Sequence, residues 1–117
     1  ANERDNKNYD IFVGGWFSDY NDPLDFLNVM KTGVYDSYGL YSNSEYDSLI
    51  DSLTGENDNA KRLEIYQKLE DLLVAQDCGV APLYYSDKHY YYQNWVKDFY
   101  TSSFGASQEL YRASVQK

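Results

Sequence analysis

Apolar residues in this chain follow two regimes. From Ser44 to about Ala75 they recur every third or fourth position, and elsewhere they gather in short aromatic and β-branched runs. Tyr46, Leu49, Ile50 and Leu53 stand at i, i+3, i+4 and i+7, the spacing of one helix face. Ser44, with Asp47 three residues on, forms a capping box for that helix, and Gly55 ends it. Asp58 caps a longer helix whose stripe is Leu63, Tyr66, Leu69, Leu72 and Leu73, broken by Asp77-Cys78-Gly79. A short helix precedes both: Asp22 has the chemistry of an N-cap, Pro23 of the first helical position and Asp25 of a third-position acid. Leu24, Leu27 and then Met30 or Lys31 form its stripe, and Gly33 is its stop.

The remaining runs read as strands. YDIFVGGW, from Tyr9 to Trp16, is apolar on both faces, as in a strand covered on both sides, and it ends at two glycines. VAPLYYS is a second strand, with the donor-less Pro82 at its start or on an edge. KHYYYQNW is a third, leading to a loop around Asn94, and two short candidates follow near Phe104 and Tyr111. Residues 1–8 are a polar lead-in and residues 34–43 a loop. The order is β, α, α, α, β, β, then irregular strands, without an internal repeat or a Gly/Ser linker. One N-terminal strand must therefore pair with C-terminal ones across most of the chain, an inventory like a piece of a larger sheet.

Composition narrows the function classes. With 117 residues and 13.6 kDa the default is a single domain. The net charge of −9 disfavours nucleic acid and anionic lipid as partners. Twelve of the 19 acidic residues but only three of the 10 basic ones fall in the first sixty positions, so the acidic field surrounds the N-terminal half. Tyr occurs 14 times, and its large ring and polar tip suit wet interfaces and clefts as well as half-buried sheets. Cys78 and His89 are each the single residue of their kind, which excludes an intrachain disulfide and a Cys-rich metal framework. No apolar run approaches the ~20 residues of a membrane span.

Gly14 to Leu27, GGWFSDYNDPLDFL, brings a strand end, a polar loop and a helix start together, the place where open α/β sheets hold ligands. Taken on chemistry alone, Asp19 is either a turn or helix cap or a ligand contact, and Trp16 and Phe17 are either core or cleft. Asp22 and Pro23 are explained by helix initiation. The carboxylate pairs Asp47–Asp51 and Glu70–Asp71 lie on predicted helices among solvating residues, so no catalytic role is expected of them. No phosphate loop, HExxH, nucleophile elbow or EF-hand spacing occurs.

GGWFSDYNDPLDFL, YSNSEYDSLIDSL, a helix with Arg62 and IYQKLEDLL, and VAPLYYS follow one another in this order. Together they resemble the C-terminal part of the oligopeptide-binding proteins of ABC importers. That family's pattern is a G-W-x-x-D-Y-x-D/E-P-x-x-F-L strand-loop-helix, a Y-x-N/S-x-E-Y/F-D helix start, an R-x-x-x-Y-x-x-x-E helix and a P-L-Y strand. The resemblance covers Tyr9 to Tyr85. It implies that Asp19 pairs with the α-amino group of a bound peptide, that Gly15 and Phe17 offer main-chain hydrogen bonds to it, and that Trp16 forms a pocket wall. Val13 stands where some relatives have Arg, and Ser86 where some have a third Tyr.

The expected fold is thus α/β, a mixed α+β fragment: part of the C-terminal lobe of a two-lobed periplasmic-binding-protein-like fold, with three helices and an incomplete mixed sheet. Residues 1–87 are expected in the ligand-binding lobe, and residues 88–117 in a tail that returns to the first lobe. The implied function is capture of oligopeptides for an ABC permease, outside the cytoplasm, with neither catalysis, cofactor nor metal. Any membrane attachment runs through a lipid anchor beyond this chain, and the chain alone is expected to bind peptide poorly. Two other readings of the residues stand beside it: a carbohydrate-binding or glycoside-cleaving module, and a Tyr-rich protein-interaction domain.

Overall fold

The computed structural model describes residues 8–34, 40–104 and 112–116. The chain divides into two compact units, one comprising Ala1–Trp16 and Asp22–Pro82, the other Phe17–Asn21 and Leu83–Lys117.

The first unit is helical. α1 spans Leu24–Leu27 and passes into a 3-10 turn over Asn28–Met30. α1 begins one residue later than the sequence implies, with Pro23 rather than Asp22 at its N-cap, yet Asp22 still serves the first turn. Its Oδ1 accepts from the Leu24 N–H at 2.9 Å and its carbonyl from the Asp25 N–H at 3.0 Å, satisfying donors that a first turn leaves open. Lys31 is extended and Gly33 takes φ +79°, so the chain leaves the helix at the expected glycine.

α2 spans Ser44–Ser52, and its cap is Asn43 rather than Ser44. Asn43 Oδ1 accepts from the N–H groups of Glu45 (2.8 Å) and Tyr46 (3.1 Å), which leaves Ser44 as the first helical residue. Asp47 does not close a capping box. Its Oδ1 accepts from the Thr32 N–H at 2.9 Å and so ties the turn after α1 to α2.

α3 spans Asn59–Glu70, is capped by Asp58, and widens into a π-helical turn over Asp71–Gln76. Its buried face is Tyr66, Leu69, Leu72 and Leu73. Leu63 is off that stripe, because successive three-residue steps drift by about 60° against a 3.6-residue period. Cys78, at φ +52°, reverses the chain after the π turn, and the Gly79 N–H returns to the Leu73 carbonyl at 2.8 Å. Gly79 is required by space: a Cβ there would lie 2.6 Å from Tyr41 Cδ2.

These helices enclose the core. Tyr46 is fully buried and donates its hydroxyl to the Leu27 carbonyl at 2.8 Å, while the Tyr41 ring meets it edge-on at 5.3 Å between centroids. Leu27, Val29, Met30, Ile50, Leu53, Leu69 and Leu73 fill the remainder, with Trp16 and Leu24 packed against them.

The second unit has a sheet of two short strands, β1 (Val96–Lys97) and β2 (Ser114–Val115), antiparallel with Val96 opposite Val115. Phe99 packs on Tyr92 at 5.0 Å and on Tyr90 at 6.3 Å. None of its described residues is buried.

The three strands expected at Tyr9–Trp16, VAPLYYS and KHYYYQNW take no ladder partner among the described residues. Ile11 is 85% and Val13 77% exposed, and Tyr85 is fully exposed. A β-branched, aromatic run becomes a strand through cross-strand neighbours, and none of the described residues lies opposite these runs. The mixed α/β class itself stands, with three helices and a small sheet. Most of the lead-in, half of the 34–43 loop and the candidate at Tyr111 lie outside the described residues.

Candidate functional site

Two residues of the stretch from Gly14 to Leu27, Trp16 and Asp22, are held within the first unit. Trp16, half-buried, donates its indole Nε1–H to Asp25 Oδ2 at 3.2 Å, and Asp25 is only 7% exposed. The acid expected to serve the helix dipole thus orients the tryptophan as well. The second residue is Asp22. Its Oδ2 accepts from Arg62 Nη2 at 2.7 Å, its Oδ1 from the Tyr66 hydroxyl at 2.6 Å, and Arg62 also donates to Tyr66. Arg62 Nη1 reaches the Glu56 carbonyl at 3.2 Å, so one guanidinium joins the loop after α2, the start of α1 and α3.

This network sets its own protonation. Burial disfavours the Asp22 carboxylate, but the Tyr66 hydroxyl, the Leu24 amide and the Arg62 guanidinium outweigh it and hold the group below the usual carboxylate range. Burial, then the Asp22 carboxylate, pushes the Tyr66 phenol up to about 12. A similar clamp lies at the far end of α3. Asp77 Oδ2 accepts from the Tyr41 hydroxyl and from Asn43 Nδ2, both at 2.7 Å, and these two donors hold Asp77 below the ordinary carboxylate value.

Of the four residues singled out for binding, Gly15 and Trp16 belong to the first unit and Phe17 and Asp19 to the second. Gly15 is exposed, and a Cβ there would meet nothing within 4 Å, so its main chain is open to an approaching partner. Asp19 is exposed, and Phe17 is 60% exposed rather than core. Within the second unit Ser18 Oγ donates to the Tyr20 carbonyl and shapes the turn that carries Asp19. Lys88 Nζ lies 4.3 Å from the Phe17 ring centroid. Phe17 and Lys88 line a cavity of about 370 Å3 with Ser18, Ser86, Asp87, Tyr90, Thr101, Ser102 and Ser103. The lining thus combines rings, hydroxyls and a single charge of each sign.

Three of the four paired carboxylates have structural partners. Asp51 is ion-paired with Lys31, Asp47 serves Thr32, and Asp71 Oδ2 accepts from Gln76 Nε2 at 2.7 Å. Among the described residues no three His, Cys, Asp or Glu side chains gather as a metal site would need. Sequence reading missed Asp25 and Lys88 as partners of the motif. Asp25 had a sufficient role as a helix-start acid, and Lys88 is distant in sequence from Phe17. Arg62, Tyr66 and Asp22 did stand in the quoted motifs, without a signal that they meet.

No family model matches the chain. Among curated proteins it is 32% identical over 88 residues to the periplasmic oligopeptide-binding protein OppA of Salmonella typhimurium, and 33% identical over 94 residues to the oligopeptide-binding protein OppA of Bacillus subtilis. These alignments take in 75% and 79% of the chain and 16% of each relative, so the chain spans about a sixth of the length of the curated relatives it matches. Among solved structures it superimposes on the substrate-binding domain of an oligopeptide ABC transporter from Bacillus anthracis with a TM-score of 0.86 and 30% identity, over 98% of this chain and 23% of that one.

Proposed function

This chain is a homologue of the oligopeptide-binding proteins of ABC transporters, and we propose that it works as part of such a receptor, capturing peptides outside the cytoplasm and delivering them to a permease. In this reading it binds and releases without catalysing a reaction. The location follows the relative that is named periplasmic. Residues 1–87 contribute to one ligand-binding lobe and residues 88–117 return toward the other; the change of compact unit after Pro82 supports a crossing in that part of the chain.

The observation that carries the reading is the loop from Gly15 to Asp19. Its exposed residues are Gly15 with an open main chain, Phe17 and Asp19; within it Trp16 is hydrogen-bonded to the Asp25 carboxylate, and beyond it Asp22 is ion-paired with Arg62. Loops positioned by a rigid scaffold are where recognition residues are carried. Main-chain bonding at Gly15 and Phe17 would hold an extended peptide irrespective of its sequence. Asp19 would accept a charge-assisted hydrogen bond from its α-ammonium, worth about 1.5–3 kcal/mol. Trp16 would supply a pocket wall.

The reading is tested on the full-length protein, unfolded and refolded to strip bound ligand, then offered a mixed peptide digest and an oligosaccharide mixture. Native mass spectrometry should find one peptide retained per protein and no sugar. Retained sugar, or no retained peptide, contradicts it.

A further inference from the structure

We propose that Lys88 makes the cleft selective for ligands that carry a carboxylate. The inference rests on the receptor reading and concerns the cavity of about 370 Å3 in the second unit, which Phe17, Ser86, Asp87, Lys88, Tyr90 and Ser102 help to line. The Lys88 ammonium lies 4.3 Å from the Phe17 ring centroid. Among the described residues it makes no ion pair and no side-chain hydrogen bond. An aromatic face attracts a cation but accepts none of its N–H groups in a strong hydrogen bond, so the three donors of the ammonium stay open to a ligand.

The surroundings decide which anion fits. Asp87 lines the same cavity and is not within ion-pair distance of Lys88, so the lysine is not neutralised by its neighbour. Asp87 repels the single charge of a carboxylate less than the double charge of a phosphate, and the hydroxyl of Ser86 is available to the carboxylate's second oxygen. Within a chain of net charge −9, this cation is set against the overall field. The carboxylate has two sources in a peptide, an Asp or Glu side chain or the C-terminus.

The full-length receptor is titrated by calorimetry with short alanine-based peptides carrying Glu or its Gln isostere at each position in turn, and with the C-terminus free or amidated. We expect the acidic form to bind about tenfold more tightly at one position or at the terminus, which identifies the source. Lys88→Met should bring that ratio to about one, Lys88→Arg should keep it and Lys88→Glu should reverse it. A ratio unchanged by Lys88→Met, or near one in the wild type at every position while neutral peptides bind, overturns the inference and leaves the receptor reading intact. Failure of every peptide to bind the wild type defeats both. Lys88 is exposed, so folded variants are expected; melting curves check this, and Lys88→Gln replaces any variant that does not fold.

Discussion

The Trp16 indole and the Asp25 carboxylate are joined by a 3.2 Å hydrogen bond between residues nine apart, with Asp25 buried at the edge of the core. The bond fixes the rotamer of a ring that, in the receptor reading, faces the ligand. A buried carboxylate is costly unless it is bonded, so the pair is kept together by the penalty of separating it.

Asp25→Ala should therefore cost about 1.5–3 kcal/mol of stability, the range for a hydrogen bond to a charged group. It should also shift the Trp16 emission, which denaturant melts and fluorescence of a Trp95→Phe background would read. Asp25→Asn keeps an acceptor and should lose less. Equal stability of wild type and Asp25→Ala would show that the bond does not hold the ring.

Acid should act through Asp22. Its folded value is held below the ordinary 3.8, so the stabilisation it brings is present above about pH 4 and is lost as pH falls through the folded value. Urea midpoints measured from neutrality down to acid should show this limb, and Asp22→Asn should flatten it. Removing the cation instead, by Arg62→Met, should cost about 2 kcal/mol near neutrality, between the effect of an exposed pair and that of a buried one.

Close packing makes a third position sensitive. Gly79→Ala places a methyl 2.6 Å from Tyr41 Cδ2 and 3.2 Å from Leu73 Cδ1, and Tyr41 is itself tied to Asp77. A loss of about 1–3 kcal/mol is expected, the range for overpacking a filled core. Gly15→Ala, with nothing within 4 Å of its added methyl, should melt like the wild type. Similar losses at both glycines would contradict the packing described.

The helical part of the fold was legible because its signals are local. Asp58 and the positive-φ glycines Gly33 and Gly55 act where a side chain or a φ angle decides the outcome within a few residues. Asn43 took the cap expected of Ser44 because both residues have capping chemistry and only one has the extended backbone that uses it. The strands were not legible in the same way. Ile11, Val13 and Leu83 have the composition of covered strands, yet pairing depends on neighbours distant in sequence, and composition reports only the kind of surface a segment fits. At the site, the exposed positions Gly15, Phe17 and Asp19 came from the motif. Asp25 and Arg62 stand in the quoted motifs too, but their partners Trp16 and Asp22 were not legible, because side-chain contacts across nine and 40 residues leave no local signal.

In the receptor reading Asp19 receives the amino terminus of a peptide. Calorimetry of the full-length protein and its Asp19→Asn variant, each with one peptide in free-amine and N-acetylated form, tests it most directly. The account predicts that the wild type prefers the free amine by about tenfold or more and that the variant loses most of that preference. An equal loss of affinity for both forms of the peptide would contradict it.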